Sequence, residues 1–405
     1  MADTMSDADA AASLLDLFDG IHDREAARAP QKMYAAISGT SPLVRHDEAS
    51  VVARSSAAVQ QVLRNAEIFR SGGAFEMQTE RPIIPLMIDP PDHRKYRKLL
   101  DPLFAPKKMA ALEEPIVELV NDLIDGFDGA SEIDFAKQFS VPFPTQVFLT
   151  LFGLPVEEAP KFLRWKDGIM HPDEIVGKPK GHPDVFEEMK NSAMNVYLYF
   201  AGLLDQDDNK GLIAQLLEME VEGDRLTKEE VLDISFTLFN AGLDTVSSSL
   251  ECFFAYLGAN PDQRRRIVDD PAIIPKAVEE LLRFETPVMG IVRKAVEDTK
   301  IEGCPVKAGD RVSVMLGSAN ADEAEFEDAC AVRLDRDANR HFAFGAGIHR
   351  CLGSHLARLE LRVALREWHR RIPEYSLVDG VDLHYAPTVR TIFELPLVLG
   401  PVSPR

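Results

Sequence analysis

The stretch HFAFGAGIHRCLGSHLARLELRVALREWHRRIP, residues 341–373, decides how the rest of the chain is read. Its second half is a helix by pattern: Leu356, Leu359 and Val363, with Trp368 further on, recur at helical spacing until Pro373 ends the run. Cys351 falls at or just before the amino end, where free backbone N–H groups and the helix dipole stabilise a thiolate. Gly345 and Gly347 let the backbone turn tightly upstream, and Gly353 does the same just beyond, so a flat ligand can approach the main chain. A sulfur presented this way, with backbone donors aimed at it, suits an iron ligand tuned by hydrogen bonds rather than protonated.

Two other readings of these residues stay open. His349, Cys351 and His355 could begin a zinc site, though no second cluster completes four ligands. GAGIHR resembles a dinucleotide loop, yet Arg350 stands where the third glycine belongs and the preceding strand signal is weak. The other cysteines, Cys252, Cys304 and Cys330, lack CxxC spacing and are too sparse to staple the chain, and read as core or surface residues.

The surrounding composition is that of a folded protein: 405 residues, 45% apolar and 27% charged. Lys plus Arg total 45 against 66 Asp plus Glu, a net charge of -21 that disfavours nucleic acid and anionic membrane as partners. No run approaches ~18 uninterrupted apolar residues, and the opening MADTMSDADAAASLLDLFDG is acidic where a signal peptide is basic. A cytoplasmic location is expected.

Helical signals dominate upstream. The clearest run, 228–257, opens on a capping box of Thr227 and Glu230 and stops at Gly258 and Pro261. It is apolar on nearly every side, so it is predicted to pass through the middle of the molecule. Shorter helices are predicted near 56–67, 92–104, 107–126, 185–204, 273–285 and 353–371. Strand-like alternation appears at Arg293–Val314 and Tyr375–Leu399. HPDEIVGKPKGHPD, residues 171–184, reads as a long exposed loop.

Inside the central run sits AGLDT, Ala241–Thr245. Gly242 costs a helix interior up to ~1 kcal/mol relative to Ala, and Asp244 and Thr245 are poor helix formers. A Thr hydroxyl there can bond back to a carbonyl and open the helix locally; the plainer alternative is a buried Thr bonded to its own backbone. EELLRF puts Glu280 and Arg283 one turn apart, a spacing that recurs at Glu25/Arg28, Glu222/Arg225 and Glu367/Arg370, so its position singles it out. DPPDHRKYRKLLDPLF, residues 89–104, puts His93 and Arg97 on one helix face, as donors to a carboxylate.

The segment FGAGIHRCLG is similar to the haem-binding signature of the cytochrome P450 family, matching Phe344, Gly347, Cys351 and Gly353; these enzymes are the standard example of haem iron held by a Cys thiolate. AGLDT resembles the family's oxygen-activating motif, and EELLRF its structural ion pair. Residues 89–104 are similar to the helix over one haem propionate, with Arg293 and His349 matching the remaining propionate partners. The resemblance spans roughly residues 56–399. In SANADEAEFEDACAVRLDR, Ala321 and Ala329 depart from it, standing where Arg and Pro are common.

The resemblance implies a mainly α fold with a small β lobe, one two-lobed domain over 1–405 in which 1–30 is an irregular extension. It implies heme b (iron protoporphyrin IX) between the central helix and the cysteine loop, with Cys351 as axial ligand. Ala241, Gly242 and Gly345 would complete the cofactor contacts. The implied reaction inserts one oxygen atom of dioxygen into a C–H or C=C bond of an apolar small molecule, with Thr245 and Asp244 delivering protons. A peroxygenase and a haem-thiolate sensor are rivals, neither of which needs Asp244 and Thr245. Pocket walls are expected from Phe75, Met77, Val288, Met289, Val292, Ile392 and Phe393. With no flavin or nicotinamide fingerprint, electrons are expected from NAD(P)H through ferredoxin reductase and ferredoxin. The iron-sulfur partner would dock on the basic run Arg350, Arg358, Arg362, Arg366, Arg370 and Arg371, extended by Lys107 and Lys108. A monomer is expected.

Overall fold

The Thr227 hydroxyl accepts from the Glu230 N–H and the Glu230 carboxylate accepts from the Thr227 N–H, so the predicted capping box starts the longest helix. In this computed structural model it runs Lys228–Ala259, one residue or two beyond the predicted stop. Residues 28–39, 41–72, 83–127, 129–179, 181–206, 208–221, 223–386 and 389–405 are described. Phe75, Met77 and nearly all of the 1–30 extension lie outside them.

In chain order the helices that matter for the site are α1 (Ser56–Arg64), α2 (His93–Leu100), α3 (Glu113–Asp125), α4 (Pro142–Phe152), α5 (Ala159–Met170), α6 (Pro183–Leu204), the central α7 (Lys228–Ala259), α8 (Ile274–Glu285) and α9 (Ser354–Arg371). A five-stranded sheet is built from β1 (Leu43–Arg45), β2 (Ser50–Ala53), β3 (Phe69–Arg70), β4 (Gly290–Ala295) and β5 (Arg311–Met315), in the order β1-β2-β5-β4-β3. β2 and β5 run parallel with Ser50 opposite Arg311, and the other pairs are antiparallel. Tyr375–Leu377 pairs antiparallel with Pro396–Leu399, as the alternation there predicts. The architecture is mainly α with a small β lobe. No described helix is long and apolar enough to cross a membrane.

Two hydrophobic cores meet on α7. Its first half gives Phe236, Phe239 and Leu243 to a cluster with α4, α5 and α6. Its second half gives Val246, Leu250, Phe253 and Phe254 to another with α3, α8 and α9. The change-over falls between Leu243 and Val246, inside AGLDT. The cysteine loop straddles the same seam, with Phe344 against the second cluster and Leu352 against the first.

Some expectations need correction. The 107–126 helix is broken into Pro106–Ala110 and Glu113–Asp125, and the 171–184 loop contains a helical turn, Pro172–Val176. Helices α4 and α5 were not predicted at all. Most of α4 is buried, including Phe143, Val147, Phe148, Leu149 and Phe152, and a helix without a polar face shows no period.

Candidate active site

The cysteine loop is held by backbone geometry. Gly345 (φ 64°) and Gly347 (φ 70°) take the left-handed conformation that favours glycine. A Cβ on Gly347 would lie 2.0 Å from the Leu63 carbonyl oxygen, so the turn is pressed against the end of α1. The Cys351 N–H then donates to the Phe344 carbonyl at 2.9 Å. Gly345 and Gly353, by contrast, have no atom within 4 Å of where a Cβ would stand. Cys351 is accessible to solvent yet ringed by protein, as a side chain facing a recessed cleft is. The ring sets its desolvation: burial pushes the thiol up, against the Gly353 N–H and the charges of Arg350, Arg97 and Arg358. The expected lowering at the helix amino end is therefore outweighed by desolvation of the metal-free thiol, an order that a bound cation would invert. Among the described residues no three His, Cys, Asp or Glu side chains converge to hold a metal, so His349, Cys351 and His355 do not form a zinc site.

Across the seam, Ala241 and Gly242 are exposed and Thr245 is half-buried, in a helix where Phe239 on one side and Val246 on the other are buried. The Thr245 hydroxyl donates to the Ala241 carbonyl at 3.0 Å. The expected local opening does not accompany this bond: the α-helix is uninterrupted, and Ser247, Ser248 and Ser249 make the same four-back bonds. Asp244 is buried, and its Oδ1 accepts from Lys166 Nζ at 3.1 Å, with His171 Nε2 at 3.7 Å. Burial works to raise the Asp244 carboxyl, but Lys166 and His171 outweigh it and hold it at about 2. Lys166 is itself buried and also binds Asp167 at 2.8 Å. Neither Lys166 nor His171 was singled out from sequence, because nothing in RWKDGIMH distinguishes a buried lysine from a solvated one.

The donors expected to meet carboxylates gather around one ring pair. His93 and His349 lie 4.3 Å apart, both with a buried Nε2 lacking a partner. Burial, helped by the nearby charges of His93, Arg293 and Arg97, drives His349 down to about 3, so it is neutral at ordinary pH. Arg293 is 8% exposed and donates to the Val292 carbonyl at 2.7 Å; burial pulls its pKa down to about 10 against the attraction of Asp89. Arg97 is partly committed, with Nε 2.7 Å from Asp101 and Nη1 donating to the Arg350 carbonyl at 2.9 Å. Two orphaned ring nitrogens and an under-satisfied guanidinium beside a cysteine loop fit the carboxylates of a haem.

The Glu280–Arg283 pair belongs to a different energetic regime from a surface helix pair. Both residues are within 1% of full burial and joined by two bonds of 2.9 Å. Glu280 also accepts from Arg336, Asn339 and the Arg333 amide, while Arg283 donates to the carbonyls of Asn320, Ala329 and Ala331. The loop that departs from the family at Ala321 and Ala329 is thus held through its main chain.

Two groups of expected residues are sorted by burial and by pairing. Met289 and Ile392 are fully buried in core clusters, so neither side chain lines a pocket. Val292 is nearly buried, whereas Val288 and Phe393 are half-buried, Phe393 edge-on to His171 at 4.9 Å. Arg358 is not an available docking charge: it binds Glu279 through Nε and Nη2 at 2.7 Å and covers the Phe344 ring at 4.2 Å. Arg366, Arg370 and Arg371 are likewise tied to Glu113, Glu367 and Asp125. Arg350 is exposed and Arg362 half-buried, with no carboxylate at ion-pair distance among the described residues.

Known proteins resemble this chain in sequence and in fold. The Cytochrome P450 family model matches residues 31–270 and 272–368. Vitamin D(3) 25-hydroxylase of Pseudonocardia autotrophica is 34% identical over 334 residues, 80% of this chain and 80% of that protein. Mycinamicin IV hydroxylase/epoxidase of Micromonospora griseorubida is 32% identical over 77% of this chain and 79% of its own length. The crystal structure of CYP109E1 from Bacillus megaterium in complex with corticosterone superposes with a TM-score of 0.84 at 28% identity, covering 92% of this chain and 99% of that one. By sequence, fold and the setting of Cys351, the chain belongs to the cytochrome P450 family, a monooxygenase with heme b as its cofactor.

Proposed function

We propose that this protein hydroxylates or epoxidises an apolar, polycyclic small molecule, drawing electrons from NAD(P)H through ferredoxin reductase and ferredoxin. The observation that carries the reading is the shared seam. A cysteine facing a cleft, the exposed Ala241 and Gly242 and the half-buried Thr245 sit where the two cores meet. Cys351 would hold the iron, His93, His349, Arg97 and Arg293 the propionates. The thiolate-ligated haem supplies dioxygen binding and O–O cleavage.

The remaining chemistry belongs to this chain. Asp244 Oδ1 is fixed by Lys166, while its buried Oδ2 has no partner and can accept and pass on a proton. Thr245 Oγ1, one residue on, leaves its bond to the Ala241 carbonyl to relay that proton into the cleft. Val288 and Phe393 exclude water beside it. Two of the molecules named for the similar proteins, corticosterone and vitamin D(3), favour a polycyclic substrate, against mycinamicin IV named for a third.

Two variants test this. In reduced, carbon monoxide treated protein, Cys351→Ser should abolish the long-wavelength band of a thiolate-ligated haem; loss of the band in Cys304→Ser or Cys330→Ser instead would reassign the ligand. Thr245→Ala should keep haem and ligand binding while diverting reducing equivalents to peroxide. Unchanged product per electron would make Thr245 a backbone-bonded core residue, and full turnover on peroxide alone would make the protein a peroxygenase.

A further inference from the structure

In SSSLEC, Ser248, Glu251 and Cys252 share one face of α7, about one to two turns beyond Asp244. They touch three consecutive residues of the segment that leads to Phe393. The Cys252 thiol lies 3.2 Å from the Arg390 carbonyl, the Ser248 hydroxyl 2.8 Å from that of Thr391, and the Ile392 N–H donates to Glu251 Oε2 at 2.8 Å. The second Glu251 oxygen accepts from the Ser140 hydroxyl at 2.9 Å. Burial pushes this carboxyl up to about 8 against those two hydrogen bonds, so it is a costly group to keep in a helix core.

The segment needs such anchors because it has no strand ladder among the described residues. Val389 and Ile392 make only single bridges, to Val288 and Tyr385. On its far side Arg390 is fixed by a 3.0 Å ion pair to Glu285 and by its N–H to the Pro287 carbonyl at 2.9 Å. With the Ile392 side chain locked in the core, Phe393 is directed to His171, which in turn reaches Asp244.

We infer that Glu251 is a positioning residue that sets the Phe393 wall against the Asp244–Thr245 face of α7, and so determines which shapes of apolar ligand are accepted. This rests on the proposed reading of Phe393 as a pocket wall. The proton-delivery steps above do not use Glu251.

The test uses the full-length haem-loaded protein and two iron-binding probes, imidazole, too small to reach the wall, and clotrimazole, which fills the space before it. In Glu251→Ala the 389–395 amides should exchange hydrogen about tenfold faster, and clotrimazole should bind about tenfold more weakly, as loss of one buried hydrogen bond allows. Imidazole affinity and the carbon monoxide band should stay unchanged. Glu251→Gln, whose amide oxygen still accepts from Ile392, should restore both readouts. Should Glu251→Ala fail to load haem, Ser248→Ala removes the Thr391 contact together with a four-back bond to the Asp244 carbonyl that the helix does not need, and should move both readouts the same way, by about threefold. Unchanged exchange, or faster exchange with an unaltered clotrimazole-to-imidazole ratio, overturns the inference. If Phe393→Ala also leaves that ratio unaltered while exchange in Glu251→Ala rises, the fault lies in reading Phe393 as a wall.

Discussion

The cysteine loop and the middle of α7 face the same seam but are built by opposite means. The loop takes its shape from glycines in left-handed backbone and from main-chain hydrogen bonds, with Glu280 and Arg283 tying down the segment before it. The middle of α7 is regular helix, and its character comes from side chains supplied by distant segments: Lys166, His171, Phe393. One half of the site is a backbone scaffold and the other a side-chain assembly. Damage to the first is therefore expected to cost folding, and damage to the second to cost chemistry.

The comparison breaks most visibly at Arg283→Met. That change removes three bonds to the carbonyls of Asn320, Ala329 and Ala331 and leaves Glu280 buried with only Arg336 and polar groups to answer it. Truncating one partner of a buried pair costs about 3–5 kcal/mol, and the stranded carbonyls place this one at the upper end. Chemical denaturation should show that loss together with poor haem retention. A loss below about 1 kcal/mol, the range of a surface pair, would mean that the loop is held by something else.

The same division explains what the sequence made legible. Glycines, a cysteine and a capping box act on their own neighbours, so the loop, the α7 start and the Glu280–Arg283 spacing could be read from adjacent letters. Asp244 could be named but its partners could not, because Lys166 lies on a helix that periodicity missed and its burial depends on packing against α6 and α7. Met289 and Ile392 looked like pocket residues because they are apolar and lie in segments that line the pocket in the resembled family, and neither criterion separates a wall from a core. Arg358 looked like a docking charge because Glu279, 79 residues away, is invisible to a local reading.

Lys166→Met sharpens the comparison on the other half. Asp244 sits near 2, below its ordinary 3.8, so its pairing contributes stability above pH 3.8 that is lost as pH falls through 2. Without Lys166, burial is opposed by His171 alone, so the carboxyl should rise from about 2 towards its ordinary value and the acid-side loss that Asp244 contributes should shrink. The stability cost should be about 3 kcal/mol, at the lower end for a buried pair, because His171 and solvent near Asp167 remain. Product formed per electron should fall while the carbon monoxide band persists. A variant with full coupling and an unmoved acid limb would show that Lys166 is packing, and that the middle of α7 needs no imported charge.

The smallest effect is expected where neither scheme operates, on the outer surface behind the cysteine loop. Of the six arginines between Arg350 and Arg371, four are engaged by Glu279, Glu113, Glu367 or Asp125, which leaves Arg350 and Arg362 to meet a partner. Arg350 adjoins Cys351, the proposed iron ligand, and is exposed, so an acidic iron-sulfur protein docked there would have the shortest electron path. Charges at a rim mainly steer encounter, and a double reversal at Arg350 and Arg362 to Glu should slow ferredoxin reduction about tenfold at low salt. The difference should shrink as the screening length shortens from about 30 Å at 0.01 M salt to about 8 Å at 0.15 M. Reduction by dithionite should be unchanged, and so should unfolding, since neither side chain holds a carboxylate among the described residues. Reversing Arg358 is the contrasting control: it breaks the Glu279 pair, so it should lower stability as well as rate. Equal ferredoxin rates for wild type and the double variant at low salt would move the docking surface away from the cysteine loop.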